Sequence, residues 1–367
     1  MPVPAQGHTH PVYTERRLNA RAILQRRDVK SLHELRWLRK LGWSEDSLDD
    51  AFRSQRHRAD NPPPEAKYFW YDSMARIMRE LDAEAHFILP SEPFEFLDVG
   101  CAPGGFSAHV LRTNPQARGV GLSLPESQGG HTFLLEPIFW PRYEYVEQDM
   151  LEYDFRPVQD NAQGHSDVGP TLPTAFLDRF QLVLLDGHPL RTYSPTPWPN
   201  QAAGAYTGAL LISQLIIALS CVRSGGAIVV KLDHIEGCPA AQLLFLLQDI
   251  SESLVVHKPR TMHASRASFY AIAKGVGAGE DATLLKEFYL EQLKALWYKL
   301  RYGGPGGGAR GLTEADLDFV VSADDILDGE GNLDKLIGFG ESVWAMQADG
   351  LRRFFGKKGM HGLPGSV

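Results

Sequence analysis

The stretch that most constrains this chain is Phe94–Leu111, FEFLDVGCAPGGFSAHVL. Apolar residues Phe94, Phe96, Leu97 and Val99 lead up to Gly100, where the run stops and the tight turn Ala102-Pro103-Gly104-Gly105 follows. Apolar residues then return at helical spacing, at Phe106, Val110 and Leu111. The pattern predicts a buried strand, a glycine turn and the first turns of a helix. Glycines there let the backbone approach a ligand, and a helix N-terminus offers unpaired N–H groups beyond the strand's carboxyl end. A plain strand-to-helix connection is the structural alternative.

With 367 residues, the chain suits one large α/β domain with additions, or two domains. A net charge of −8 argues against a surface that coats nucleic acid everywhere, but leaves room for a local basic groove. Cys101, Cys221 and Cys238 are too few for a disulfide framework and lack metal-ligand spacing, which predicts a reducing compartment and no metal. No apolar run approaches membrane-spanning length. The expected location is intracellular, cytoplasmic or nuclear. An Arg-rich, acid-poor N-terminus keeps a mitochondrial address as the less favoured option.

Met1–Thr14 reads as a disordered tail, with His8 and His10 lacking further converging ligands. Between Arg16 and Lys40 stand nine Arg and Lys against Asp28 and Glu34, a local charge of +7. Leu32, Leu35, Leu38 and Leu41, with Trp37, predict an amphipathic helix behind those charges. The charged face is either simply solvated or a phosphate-facing patch that positions RNA without reading its sequence. Glu45, Asp46, Asp49 and Asp50 then dilute it, and Asn61-Pro62-Pro63-Pro64 marks a boundary. The expected division is 1–61 as tail and basic helical extension, 62–279 as the central domain and 280–367 as a helical C-terminal extension.

Glu65–Ala83 reads as a helix carrying Lys67, Phe69, Trp70, Met74, Ile77, Met78 and Leu81. Ala117–Leu124 reads as the second strand, Tyr143–Tyr153 as the third and its exit, and Phe155–Phe176 as a loop insertion. Phe180–Asp186 is a nearly continuous apolar run, as a central parallel strand requires, and ends in Asp186-Gly187-His188-Pro189. A helix over Gly204–Val222 follows, and Ser224-Gly225-Gly226 is expected to turn into the strand Ala227–Leu232. Lys231 near the end of that apolar strand would be costly to bury without a purpose. Asp186 and Lys231 thus meet at the carboxyl ends of two inner strands, where a structural ion pair is the competing account. Beyond Glu280, Leu285, Phe288, Leu293, Leu296, Trp297 and Leu300 predict an amphipathic helix over Leu284–Arg301, with further helical segments to Phe355 after a Gly303–Gly311 linker. Asp328-Gly329-Glu330-Gly331-Asn332 looks like a calcium loop, but Leu333 holds the glycine position and no ligand ladder follows.

Asp98, Gly100, Pro103, Gly104, Gly105, Phe106 and Ser107 resemble motif I of S-adenosylmethionine (SAM)-dependent methyltransferases, most closely the FtsJ-like ribose 2′-O-methyltransferases. The resemblance runs from about Lys67 to Lys274 and implies a Rossmann-like α/β fold with a doubly wound, mostly parallel sheet. It implies that Asp98, Gly100, Cys101, Ala102, Pro103, Gly104, Gly105, Phe106 and Ser107 lie around the methionine part of SAM. Leu122 and Ser123 fall where the family holds the ribose, although Ser123 replaces the usual acid and Glu126 is nearby. Asp149 and Met150 match the adenine contacts, and Asp186 the D-x-x-P of motif IV. Lys231 matches the strand-end lysine of GGxxxxK, and Ser265–Lys274 the closing S-R-x-x-x-Y segment. The family's Lys-Asp-Lys-Glu tetrad becomes Lys67, Asp186, Lys231 and Ser268, with Ser268 where the family places Glu.

The function this implies is SAM-dependent methylation of an RNA ribose 2′-hydroxyl. Lys231 would be the base, its pKa lowered by burial and by a neighbouring Lys67. Asp186 would orient Lys231, Lys67 would hold the hydroxyl, and Ser268 could only hydrogen-bond. Two other functions stay open: a small-molecule O- or N-methyltransferase, and a catalytically inactive SAM- or RNA-binding module on the same fold.

Overall fold

The computed structural model describes residues 18–44, 53, 54, 57, 63, 65–156, 169–190, 204–304 and 307–360. The N-terminal tail with His8 and His10, Arg16 and Arg17, the acids at 45–50, most of the Asn61–Pro64 boundary and the middle of the Phe155–Phe176 insertion lie outside the described residues. Seven strands form one sheet: β1 (Phe94–Val99), β2 (Ala117–Ser123), β3 (Tyr143–Glu147), β4 (Phe180–Leu185), β5 (Val222–Asp233), β6 (Ser253–His257) and β7 (Ser268–Val276). Their order is β3-β2-β1-β4-β5-β7-β6. The pairs joining β3, β2, β1, β4 and β5 are parallel, and β7 runs antiparallel to both of its neighbours.

The chain winds outward from β1 through β2 to β3 and then returns to β4 on the other side of β1. That reversal opens a crevice beyond the carboxyl ends of β1 and β4, the usual ligand position in such sheets. The two loops there touch. A Cβ on Gly100 would lie 2.6 Å from the Gly187 backbone, and Gly100 itself has φ +83°, so glycine is required.

Strand alternation divides the core in two. Phe94, Phe96, Leu182, Leu184, Val229 and Tyr270 pack with α3 (Ala66–Ala85) and α4 (Gly105–Thr113) on one face. Leu97, Val99, Val183, Leu185, Ile228 and Val230 belong to the larger core of the other face, with α5 (Ala205–Cys221), α6 (Ala240–Asp249) and α7 (Glu280–Tyr302). With a side-chain period of two, Asp98, Asp186, Lys231, Ser268 and Tyr270 all project to the α3/α4 face.

The N- and C-terminal additions pack on one another. α1 (Ala20–Arg26) and α2 (Lys30–Ser44) lie against α8 (Ala323–Asp328) and α9 (Asn332–Gly356), burying Leu32, Leu35 and Leu38 with Trp344 and Phe355. Arg26 pairs with Asp328, Arg27 with Asp334, and Arg352 with Glu34. Arg39 pairs with the buried Glu236, whose other oxygen accepts from Trp344 Nε1 at 3.2 Å. The expected phosphate-facing patch is therefore redirected in part: Arg26, Arg27 and Arg39 join the extensions to each other and to the loop after β5, while Lys30, Arg36 and Lys40 stay exposed.

Three local expectations are corrected. Ser224–Gly226 makes no separate turn. β5 begins directly after α5 and absorbs these residues with register shifts against β4 and β7. On α7, Leu285 and Phe288 are exposed, whereas Lys286 and Tyr289 are buried. Lys286 is accommodated because its ammonium reaches Asp178 Oδ1 at 2.9 Å and the Val222 carbonyl at 3.1 Å. On α3, Phe69 is exposed and Tyr71 is buried in its place. No helix among the described residues is long and apolar enough to cross a membrane.

Candidate active site

The strand-end residues converge as their register dictates. Lys231 Nζ lies 3.2 Å from Asp186 Oδ1, and the buried Tyr270 hydroxyl donates to the same oxygen at 2.7 Å. Lys231 and Tyr270 are directly opposite in the β5–β7 ladder, which presents both to Asp186 on β4's carboxyl end. Phe106, at the start of α4, packs against the Tyr270 ring at 6.0 Å. The loop after Asp186 is held by Gln214 of α5, which accepts from Gly187 N–H at 2.9 Å and donates to its carbonyl at 3.1 Å.

Asp98 sits on the neighbouring strand and is 1% exposed. Its Oδ2 accepts the Ser107 hydroxyl at 2.6 Å, while Oδ1 has no hydrogen-bond partner among the described residues. Burial drives the Asp98 carboxyl up to about 7; the Ser107 hydrogen bond opposes that rise and the Asp186 charge adds to it. Ser107 is itself fixed by the Tyr143 hydroxyl at 2.8 Å. That hydroxyl lies over Gly121, where a Cβ would approach it to 1.9 Å.

Beside these groups is an open cleft. Gly100, Ala102, Ser123, Asp149 and Met150, five of the residues that the resemblance assigns to the cofactor, line it. Cys101, Pro103, Gly104, Gly105, Phe106, Ser107 and Leu122 are buried and do not line the cleft. Asp149 also caps a short helical turn, accepting Leu151 N–H at 2.9 Å. The crevice suits a cation: Asp186 and Asp149 stand against Lys231, and one oxygen of Asp98 has no hydrogen-bond partner among the described residues. These residues fit a sulfonium cofactor that also carries an ammonium group.

Two of the sequence-derived residues stand apart from the Asp186–Lys231 pair. Lys67 places its ammonium 5.6 Å from the Tyr68 ring, and no contact among the described residues joins it to Lys231 or Asp186. Ser268, opposite Asp233, shares the face of Lys231 and Tyr270, but its buried hydroxyl has no partner among the described residues. The cleft also has residues that the sequence reading left unassigned, chiefly His131 and His188, whose rings lie 6.0 Å apart, with Trp70 5.2 Å beyond His131. His188 could have been singled out as the variable position inside D-x-x-P. His131, far from any motif, carried no such signal. Among the described residues no cluster of His, Cys, Asp and Glu could hold a metal ion.

A family model described as FtsJ-like methyltransferase matches residues 78–276, just over half of the chain. Cap-specific mRNA (nucleoside-2′-O-)-methyltransferase 1 of Bos taurus is 29% identical over 200 residues, covering 52% of this chain and 22% of that protein. The Homo sapiens protein of the same name is 26% identical over 272 residues, covering 72% and 30%. The matched stretch thus spans less than a third of the length of these relatives. Among solved structures, one described as a ribosomal RNA methyltransferase from Plasmodium falciparum has a TM-score of 0.37 at 17% identity, covering 55% of this chain and 96% of that one. A likeness that loose adds nothing to the fold already described.

Proposed function

The chain belongs to the FtsJ-like methyltransferase family, and on that premise we propose that it methylates a ribose 2′-hydroxyl of RNA using SAM. The observation that carries the reading is the Lys231–Asp186–Tyr270 cluster at the carboxyl end of the sheet, beside a cleft lined by Asp149. When bound, SAM supplies an electrophilic methyl group. Asp98 and Asp186 provide the negative field that a cationic cofactor needs, and Gly100, Ala102, Ser123, Asp149 and Met150 would hold its body.

Lys231 takes the proton that the acceptor hydroxyl loses as the new C–O bond forms. Asp186 holds the Lys231 nitrogen in one orientation, and the Tyr270 hydroxyl keeps Asp186 from rotating away. Most of the rate advantage in such a displacement comes from holding the reacting groups in line. RNA as the substrate is supported by the mRNA that the relatives are named for and by Arg36, Lys40 and Trp37, exposed together on α2. Arg39's pairing with Glu236 sets the C-terminal half of that helix by the loop after β5, at the catalytic end of the sheet. Those relatives direct attention first to capped transcripts.

The test is transfer of labelled methyl from SAM to capped and uncapped RNA, with 2′-deoxy oligonucleotides as the control. Transfer to ribose but not deoxyribose acceptors supports the reading. SAM binding without transfer to any RNA would redirect it to a small-molecule acceptor.

A further inference from the structure

Three aromatic side chains that the chemistry of Lys231 and Asp186 leaves unused meet at the cleft. Trp70 stands on α3, His131 follows β2 and His188 follows β4, so the row is assembled from three separate segments of the chain. The Trp70 and His131 ring centroids lie 5.2 Å apart with their planes at 60°, and those of His131 and His188 lie 6.0 Å apart at 31°. Both histidines line the cleft. Packing of the fold does not account for the row. Trp70 belongs to neither hydrophobic core, and His188, at the end of the row, is exposed.

Each ring stands on backbone that is already fixed. Gln214 holds both the N–H and the carbonyl of Gly187, next to His188. Beside His131, the Gly130 N–H donates to the Pro125 carbonyl at 3.0 Å and the Thr132 hydroxyl donates to Glu126 Oε1 at 2.8 Å. Trp70 is carried by its helix, where the following Tyr71 is buried and donates its hydroxyl to Glu136. Rings held in this way lose little freedom when a ligand docks on them.

Strand order says which ligand reaches the row. Along the crevice the strand ends succeed one another as β3, β2, β1, β4 and β5. Asp149 and Met150 follow β3, Ser123 ends β2 and Gly100 follows β1, so the residues that would hold the body of SAM occupy one side. His188 follows β4, just after Asp186, on the side toward Lys231, where the acceptor hydroxyl has to sit. A ribose has no flat face to offer a ring, but the base attached to it does. Unpaired bases of single-stranded RNA are held in this manner, packed on aromatic side chains that include histidine.

We propose that His188, backed by His131 and Trp70, is the stacking platform for the base of the nucleotide being methylated. The substrate is then an unpaired nucleotide of single-stranded RNA, accepted with little preference among bases, because every base has a π-face. The platform turns the ribose toward Lys231 and leaves the hydrogen-bonding edges of the base unread. This assignment rests on the RNA-methylation reading and names the subsite that reading requires.

The test measures binding and transfer separately, on the full chain. S-adenosylhomocysteine occupies the cofactor site without donating a methyl group. In its presence, a fluorescently labelled single-stranded RNA should bind His188→Ala about 5- to 150-fold more weakly than the wild type, the worth of one base stacked on a ring. His188→Phe, which keeps a flat ring, should recover most of that loss. Calorimetry should show the same SAM affinity in all three proteins; a parallel loss in His188→Ala would assign the ring to the cofactor and overturn the proposal. In transfer assays, an abasic ribose at the methylated position should raise KM for the wild type and leave KM for His188→Ala unchanged. Unaltered RNA affinity in His188→Ala, or a full abasic penalty in that variant, overturns the platform and leaves the methylation reading intact. If RNA binding depends on His188 while the wild type transfers no methyl group, the methylation reading fails and the platform stands. A wild type that binds no RNA overturns both.

Discussion

Asp98→Asn separates what a buried carboxylate does for the fold from what it does for a ligand. In the wild type one Asp98 oxygen is bonded to Ser107, the other has no partner among the described residues, and burial pushes the carboxyl up from 3.8 to about 7. The folded-state value lies above the unfolded one, so the folded protein holds the extra proton in between. The stability linked to that proton is fully present below about pH 4 and is lost as pH rises through about 7. Integrating the linkage gives a loss of about 2–3 kcal/mol between pH 5 and pH 8. The amide of the variant does not titrate. It leaves an N–H₂ group unpaired, costing about 1–3 kcal/mol, but equally at every pH. Urea unfolding at both pH values should therefore show the variant gaining about 2–3 kcal/mol on the wild type from pH 5 to pH 8. Calorimetry at pH 8 should show SAM affinity falling about 10- to 150-fold, the worth of a charge-assisted hydrogen bond. At pH 6, wild-type binding should release a proton that the variant cannot release. Parallel pH dependences would refute the raised titration, and unchanged SAM affinity would refute Asp98 as a partner of the cofactor.

Three further outcomes are expected. Lys231→Ala should retain SAM binding within a few-fold while transfer falls by roughly 10²–10⁴; single-turnover transfer at the wild-type rate would remove Lys231 from the mechanism. Gly121→Ala should destabilise by about 1–3 kcal/mol, because the Tyr143 hydroxyl would have to leave both Gly121 and Ser107; thermal unfolding tests this, and an unshifted midpoint would mean that Tyr143 is free to move. Arg39→Ala should cost about 3–5 kcal/mol by leaving Glu236 buried without its main ion-pair partner, and a double-mutant cycle with Glu236→Leu should recover much of it. Burial would raise the Glu236 carboxyl, but His234 and Arg39 hold it well below the usual range. Its stabilising effect should thus be present above the ordinary carboxylate pKa and be lost in acid, and Glu236→Leu should flatten stability below about pH 4.5.

Much of the sheet was legible because its determinants are local. Phe94–Val99 and Phe180–Leu185 are apolar runs of strand length, and glycine ends or follows each at the crevice. The same runs put Asp186 and Lys231 at the ends of two strands, but that they share a face with Asp98 was decided by strand order and register. The exposed ends of amphipathic helices were harder. Phe69 and Phe288 carry apolar spacing but point outward, because burial depends on what packs above the helix and not on the helix alone. The basic segment is a similar case, since a run of arginines does not reveal that Asp328, Asp334 and Glu236 wait for them from residues hundreds of positions away.

The sequence by itself therefore determined the strand–turn–helix junction at Gly100, the candidate acid and lysine at two strand ends, and the absence of a carboxylate at Ser268. Each rests on the chemistry of neighbouring residues in the chain. Only the tertiary structure decided that Tyr270 joins Asp186, that Lys67 lies on Tyr68, and that Trp70, His131 and His188 meet at the cleft. Those facts depend on strand order, ladder register and the closing of loops between distant segments, which a linear pattern of residue types does not encode.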